Sequence, residues 1–166
     1  MNCIKPRLAA VQPPDWLAQP RFQSRVAFAR DDSSGARKSP RQHERLLIVE
    51  DDYLICAQME AALSEAGYEV VGVASTADEA VELATQHRPA LAILDIRLTG
   101  KRDGIDTALE LFRAHGIRCV FATAHSTTDV RTRAEPAAPL AWLPKPYTMT
   151  ALVHAVEAAL RQLSKS

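Results

Sequence analysis

Four short apolar runs, each closed by a polar residue, constrain the fold of this chain more than any other feature in it. Leu46-Leu47-Ile48-Val49 ends in Glu50 and Asp51, and Leu91-Ala92-Ile93-Leu94 ends in Asp95. Cys119-Val120-Phe121-Ala122 ends in Thr123, and Leu140-Ala141-Trp142-Leu143-Pro144 ends in Lys145. Runs this short and this apolar read as strands buried on both faces, the pattern of a parallel sheet covered by helices on either side. The carboxyl ends of such strands share one rim, where ligands bind. The expectation is a small pocket with three carboxylates, a hydroxyl and an ammonium, in which the carboxylates repel one another unless a cation joins them.

Between these runs the apolar period turns helical. A strand over 46–50 leads into a helix over 53–66, with Ile55, Met59, Ala62, Leu63 and Ala66 as one apolar stripe and Gly67 suited to the position after it. A strand over 69–74 precedes a helix over 76–87, which opens with Thr76 and Glu79 spaced as a capping box and is stopped by Pro89. A strand over 90–95, a polar loop from Arg97 to Asp103 and a helix over 105–115 follow, then a strand over 117–122. Pro136 and Pro139 hold the next helix, 127–134, short. A strand over 139–143 and a helix over 148–163 complete the pattern. Five strands and five helices in strict alternation predict an α/β fold, a doubly wound five-stranded parallel sheet with right-handed crossovers.

The 166 residues suffice for one ordinary domain. Formal net charge is zero, but residues 1–45 carry +5 and residues 46–166 carry −5. An acidic folded part argues against a nucleic-acid surface there. Residues 1–45 hold five of the ten prolines and no lasting apolar period, and read as a disordered basic arm. Within it Trp16, Phe22 and Phe28 alternate with Arg21, Arg25 and Arg30, a docking segment or a plain extension. Cys56 and Cys119 read as small buried apolar residues, and with Cys3 they show neither metal spacing nor a disulfide framework. That usage, with no apolar stretch of membrane-spanning length and no secretory leader, points to the cytoplasm and to no membrane partner.

A carboxylate cluster without His or Cys suits a hard cation, and Mg²⁺ is the usual choice. Phosphoryl transfer needs mainly positioning and charge neutralisation, which carboxylates, cation, lysine and hydroxyl together supply. One carboxylate then serves as nucleophile, and Asp95 at the end of the central strand is the candidate. Asp52 reads as a helix N-cap. His125 reads as a solvated loop residue. A nucleotide-binding Rossmann unit does not fit, because the turn after the first strand lacks its glycines.

These motifs carry a resemblance. From about Leu46 to Leu163, with Leu47-Ile48-Val49-Glu50-Asp51-Asp52, Leu94-Asp95, Ala122-Thr123-Ala124 and Leu143-Pro144-Lys145-Pro146 in register, the chain resembles the receiver domain of two-component response regulators. Asp51 to Asp95 spans 44 positions, Asp95 to Thr123 spans 28, and Thr123 to Lys145 spans 22. The resemblance implies the flavodoxin-like (βα)5 receiver fold with strand order 2-1-3-4-5. It implies Mg²⁺ held by Glu50, Asp51, Asp95 and the Arg97 carbonyl. It makes Asp95 the phosphoacceptor, supplied by a sensor histidine kinase or phosphotransfer protein. Thr123 would turn its hydroxyl toward the phosphoryl group, and Lys145 would pair with it. The Lys145–Pro146 bond is often cis in this family. Trp142 occupies the family's aromatic switch position, although an aromatic there can equally be core.

Three departures stand out. The loop after the acceptor, Leu98 to Gly104, is longer than usual and lacks the family's proline; Phe121-Ala122-Thr123-Ala124-His125 is similar to a subgroup with a Phe-Ala-Thr-Gly-type motif; and Pro136 shortens the fourth helix. The chemistry is untouched; what these departures bear on is the family's standard readout through that helix and the fifth strand. The sequence holds no output domain after Leu163, so the expectation is a stand-alone, non-enzymatic receiver at 46–166 that switches a protein–protein contact with a downstream protein still to be identified. A phosphoryl shuttle or sink is the alternative. A Mg²⁺-dependent aspartyl-phosphate phosphohydrolase ranks lower, because the position two past the nucleophile is Arg97 rather than a general acid. Oligomeric state is left open, a homodimer included.

Overall fold

The computed structural model describes residues 44–124 and 126–165. The N-terminal basic-aromatic segment, Cys3 and His125 lie outside the described residues.

The elements follow the alternation read from the sequence. They are β1 (Arg45–Val49), α1 (Tyr53–Glu65), β2 (Glu69–Ala74), α2 (Ala77–His87), β3 (Leu91–Leu94), α3 (Gly104–His115), β4 (Arg118–Thr123), α4 (Thr128–Ala134), β5 (Ala141–Pro144) and α5 (Met149–Leu163), with a 3-10 turn over Glu135–Ala137 after α4. The strands are parallel in the order β2-β1-β3-β4-β5, as expected. Differences are at the ends. β1 takes in Arg45 and stops before Glu50, β3 stops before Asp95, and β5 begins two residues later than the pattern suggests.

β1 and β3 are buried almost throughout, so their side chains feed both faces alternately. Leu47, Val49, Ala92, Leu94, Cys119 and Phe121 join residues of α2, α3 and α4 in one apolar cluster. Leu46, Ile48, Leu91, Ile93, Val120 and Ala122 join α1 and α5 in the other. Burying a branched aliphatic or aromatic side chain contributes roughly 1.5–3 kcal/mol, so this double set dominates the stability of the sheet. On α1 the buried stripe is Cys56, Met59 and Leu63. Ala66, expected in the stripe, is exposed as the helix C-cap, since the helix ends one residue sooner.

The caps set where the helices start. Asp52 accepts from the Leu54 and Ile55 N–H groups, which confirms it as the N-cap of α1. Thr76 caps α2 by accepting from the Glu79 N–H at 3.3 Å, but Glu79 reaches back to Ser75, N–H and hydroxyl, instead of closing the box on Thr76. Those bonds hold the exposed Glu79 carboxyl below its ordinary range. α3 has the complete box, Asp103 with Asp106. Among the described residues no helix is long and apolar enough to cross a membrane.

Candidate functional site

The sheet brings the expected residues to one rim. The Glu50 N–H donates to the Ala74 carbonyl at 3.0 Å, the Asp95 N–H to the Val49 carbonyl at 2.9 Å, and the Lys145 N–H to the Thr123 carbonyl at 2.9 Å. Each functional residue is thus fixed by one more rung of the parallel ladder just past its strand. Thr123 is the last residue of β4 and is buried.

Glu50 is 3% exposed and Asp95 is 9% exposed. Between them lies the Lys145 ammonium, its Nζ 2.6 Å from Glu50 Oε2 and 2.6 Å from Asp95 Oδ2. The second oxygens also accept bonds, Glu50 Oε1 from the Asp52 N–H at 3.4 Å and Asp95 Oδ1 from the Arg97 N–H at 3.2 Å. The Lys145–Pro146 peptide is cis.

Two buried carboxylates sharing one ammonium leave a surplus negative charge. Burial pushes the Glu50 carboxyl above its ordinary value of 4.5, Lys145 opposes this without cancelling it, and the Asp95 charge adds a smaller rise. Burial works against the Lys145 charge as well, but bonds to Asp95 and Glu50 outweigh it and raise the ammonium above 10.5.

Asp51 does not join them. It is exposed, and its Oδ2 accepts from the Thr99 hydroxyl at 2.5 Å, a contact from the loop after β3. Among the described residues no three His, Cys, Asp or Glu side chains converge as metal ligands. Of the three carboxylates on the rim, Glu50 and Asp95 meet, held by Lys145, while Asp51 is held by Thr99. The donor chemistry still suits Mg²⁺, because the acids are all-oxygen ligands carrying uncompensated charge.

Trp142 is half-buried. Its ring centroid lies 4.8 Å from that of Phe121, and the Arg131 guanidinium carbon lies 4.7 Å from the ring centroid on α4's side. Cys56 and Cys119 are buried, and Cys119, deep in β4, has its thiol pushed up to about 12 by burial.

Several residues of the site were not singled out from the sequence. A Cβ built on Gly104 would lie 1.9 Å from the Asp95 carbonyl oxygen, so only glycine lets α3 approach Asp95 so closely. Asp103 and Asp106, spaced as a capping box, were the available signal for that helix start. Thr99, Arg131 and Arg133 left no local signal, because their partners are distant in sequence.

Comparison with known proteins agrees with this geometry. The family model described as the response regulator receiver domain matches residues 46–157. The chain is 42% identical over 116 residues to the transcriptional regulatory protein PdtaR of Mycobacterium tuberculosis, covering 70% of this chain and 56% of that protein. It is 32% identical over 132 residues to the phyllosphere-induced regulator PhyR of Methylorubrum extorquens, covering 77% and 49%. The chain thus spans about half the length of these curated relatives. Among solved structures, the signal receiver domain of a modulated diguanylate cyclase from Desulfovibrio desulfuricans matches with a TM-score of 0.66 at 34% identity, covering 71% of this chain and 94% of that one. A CheY-like receiver domain protein from Methanospirillum hungatei matches with a TM-score of 0.68 at 25% identity, covering 74% and 97%. With its five-stranded parallel sheet, its buried acid pair under one lysine and its match over residues 46–157, the chain belongs to the response regulator receiver domain family.

Proposed function

We propose that this chain takes a phosphoryl group onto Asp95 from the phosphohistidine of a sensor kinase or phosphotransfer protein, and that the transfer switches its contact with a downstream protein. The observation that carries the reading is the shared ammonium: Lys145 binds Asp95 and Glu50 at equal distance on the rim, so the acceptor carboxylate is buried and already paired with a cation.

In the transfer, an Asp95 carboxylate oxygen forms the new bond to phosphorus while the bond from phosphorus to the histidine nitrogen breaks. The imidazole leaves and takes a proton from solvent. Lys145 stays on the acceptor side and pairs with a phosphoryl oxygen. The Thr123 hydroxyl, at the end of the neighbouring strand, donates to another. Glu50, Asp51, Asp95 and the Arg97 carbonyl are the groups that would hold Mg²⁺, which supplies charge neutralisation for the transferring phosphoryl group. The receiver unit in this reading runs from residue 46 onward.

A protein rather than nucleic acid as the downstream partner is supported by the net charge of −5 over residues 46–166. It is also supported by a relative of the same fold, a PhyR from Bartonella quintana described as an anti-anti-sigma factor, at 26% identity and a TM-score of 0.61. A shuttle or sink would use the same chemistry without a partner selective for the phosphorylated form.

The test is direct. Incubated with Mg²⁺ and acetyl phosphate, the wild-type chain gains the mass of one phosphoryl group and Asp95→Asn does not. An adduct on both proteins removes Asp95 from its role. A pull-down partner that binds equally well with and without the adduct favours the shuttle.

A further inference from the structure

The first turn of α3 touches the proposed acceptor from behind. The Gly104 N–H donates to the Ile96 carbonyl at 2.8 Å, and its Cα packs against the Asp95 carbonyl. Immediately before it, Asp103 caps α3, its Oδ1 accepting from the Ile105 N–H at 2.9 Å and the Asp106 N–H at 3.0 Å. The same carboxylate is gripped from α4. Arg133 places Nη1 2.6 Å from Asp103 Oδ2 and Nη2 2.8 Å from Asp103 Oδ1, and Nη2 lies 2.8 Å from Asp106 Oδ1 as well. This is a two-bond fork, a planar fit that an ammonium does not reproduce.

Two residues earlier on the same short helix, Arg131 lies over the Trp142 ring, which packs on Phe121, two positions before Thr123. α4 has seven residues, no side-chain N-cap bond and one fully buried residue, Ala134. The two arginines are therefore a large part of what fixes its position. One fastens it to the Asp103 and Asp106 carboxylates at the start of α3, the other to the aromatic ring at the switch position.

We propose that Arg133 is a positioning residue that couples the Asp95 loop to α4 and, through Arg131, to Trp142. Movement at the acceptor then reaches the ring through an ionic fork on Asp103. The inference rests on Asp95 being the phosphoacceptor, yet Arg133 makes none of its bonds to Glu50, Asp95 or Lys145. Phosphoryl transfer and its readout are therefore separable. A merely structural Arg133 would lower stability without changing how Trp142 responds.

The experiment uses the full chain with Trp16→Phe, which leaves Trp142 the only one of the two tryptophans. Adduct formation with acetyl phosphate is followed by intact mass, and the Trp142 emission change is followed on adding Mg²⁺ with beryllofluoride. Arg133→Gln is expected to form the adduct as wild type does while its emission change falls by about threefold or more. Arg133→Lys, which keeps the charge and loses the fork, is expected in between, and it carries the test if the glutamine variant does not fold. A wild-type emission response in either folded variant overturns the coupling. An adduct on the parent protein with no change in Trp142 emission overturns it too. Failure of the parent protein to form any adduct removes the acceptor reading itself, and the coupling with it.

Discussion

Two of the ionic clusters among the described residues answer to pH in opposite senses. At the rim, Glu50 and Asp95 are buried around Lys145, and burial raises the Glu50 carboxyl above its ordinary value. Behind it, burial likewise works against the Asp103 carboxylate, but the Arg133 fork and the helix amides outweigh it and hold Asp103 below 3.8. An ionised Glu50 therefore costs stability, and the cost grows as pH rises from about 4.5 through its raised folded value. An ionised Asp103 adds stability, present above about 3.8 and lost as pH falls through its lowered folded value. The first cluster is strained toward accepting something positive or giving up charge. The second is complete as it stands. The first suits the cation-assisted chemistry proposed for the rim, and the second a structural joint.

The joint between them is Gly104, and it carries the largest expected effect. A methyl group there meets the Asp95 backbone, which cannot yield as a flexible side chain would. Gly104→Ala is expected to cost about 3 kcal/mol or more by denaturant unfolding, at the upper end for an overpacked site. A loss under about 1 kcal/mol would mean that α3 can slide and that the two clusters are not rigidly joined. Next comes Lys145→Met, which leaves two buried carboxylates without their cation. About 2–4 kcal/mol is expected, less than for a fully enclosed pair because the lysine side chain is 20% exposed. The wild-type chain should lose part of the same contribution as pH climbs past 10.5 through the raised lysine value. The variant should still form the Asp95 adduct and respond weakly in Trp142 emission; a full response would take Lys145 out of the switch.

What the sequence made legible was whatever repeats with a short period. Leu46 to Val49 and Leu91 to Leu94 announce strands buried on both faces, and the polar residue closing each run marks the rim, so Glu50, Asp95, Thr123 and Lys145 could be named in advance. Asp52 was readable as a cap because its partners are two and three residues away. The place of Asp51 was not readable, because its orientation is decided by Thr99, 48 positions on. Arg133 and Asp103 stand 30 positions apart on different helices, and nothing local marks either as the other's partner. Gly104 sat in view as one more loop glycine, and only the closeness of the Asp95 carbonyl shows why it has no side chain.

Arg133→Gln tests the completed cluster as a contributor to stability, independently of its coupling role. The guanidinium side chain is 48% exposed, so solvent screens the pair, and about 1 kcal/mol is expected at low salt. The loss should shrink in about 1 M NaCl, where charges on the surface are screened within a few ångströms. A salt-independent loss would show that the arginine acts by packing its stem and not by its charge.

The smallest effect has the unusual sign. Glu50→Gln imitates the protonated carboxyl that burial favours, and its amide oxygen can still accept from Lys145. In Mg²⁺-free buffer at pH 7 the variant is expected to be more stable than wild type by up to about 1 kcal/mol, seen as a higher Tm. Below about pH 4.5 wild-type Glu50 is itself protonated, so the two melting curves should converge there. Lys145 stays charged across that range, so the divergence does not come from the lysine. Added Mg²⁺ should then raise the Tm of wild type more than that of the variant, because the glutamine has given up the charge a cation would neutralise. A variant less stable than wild type at pH 7 without Mg²⁺ would mean that Lys145 fully compensates both acids, and that the rim holds no surplus charge to recruit a metal.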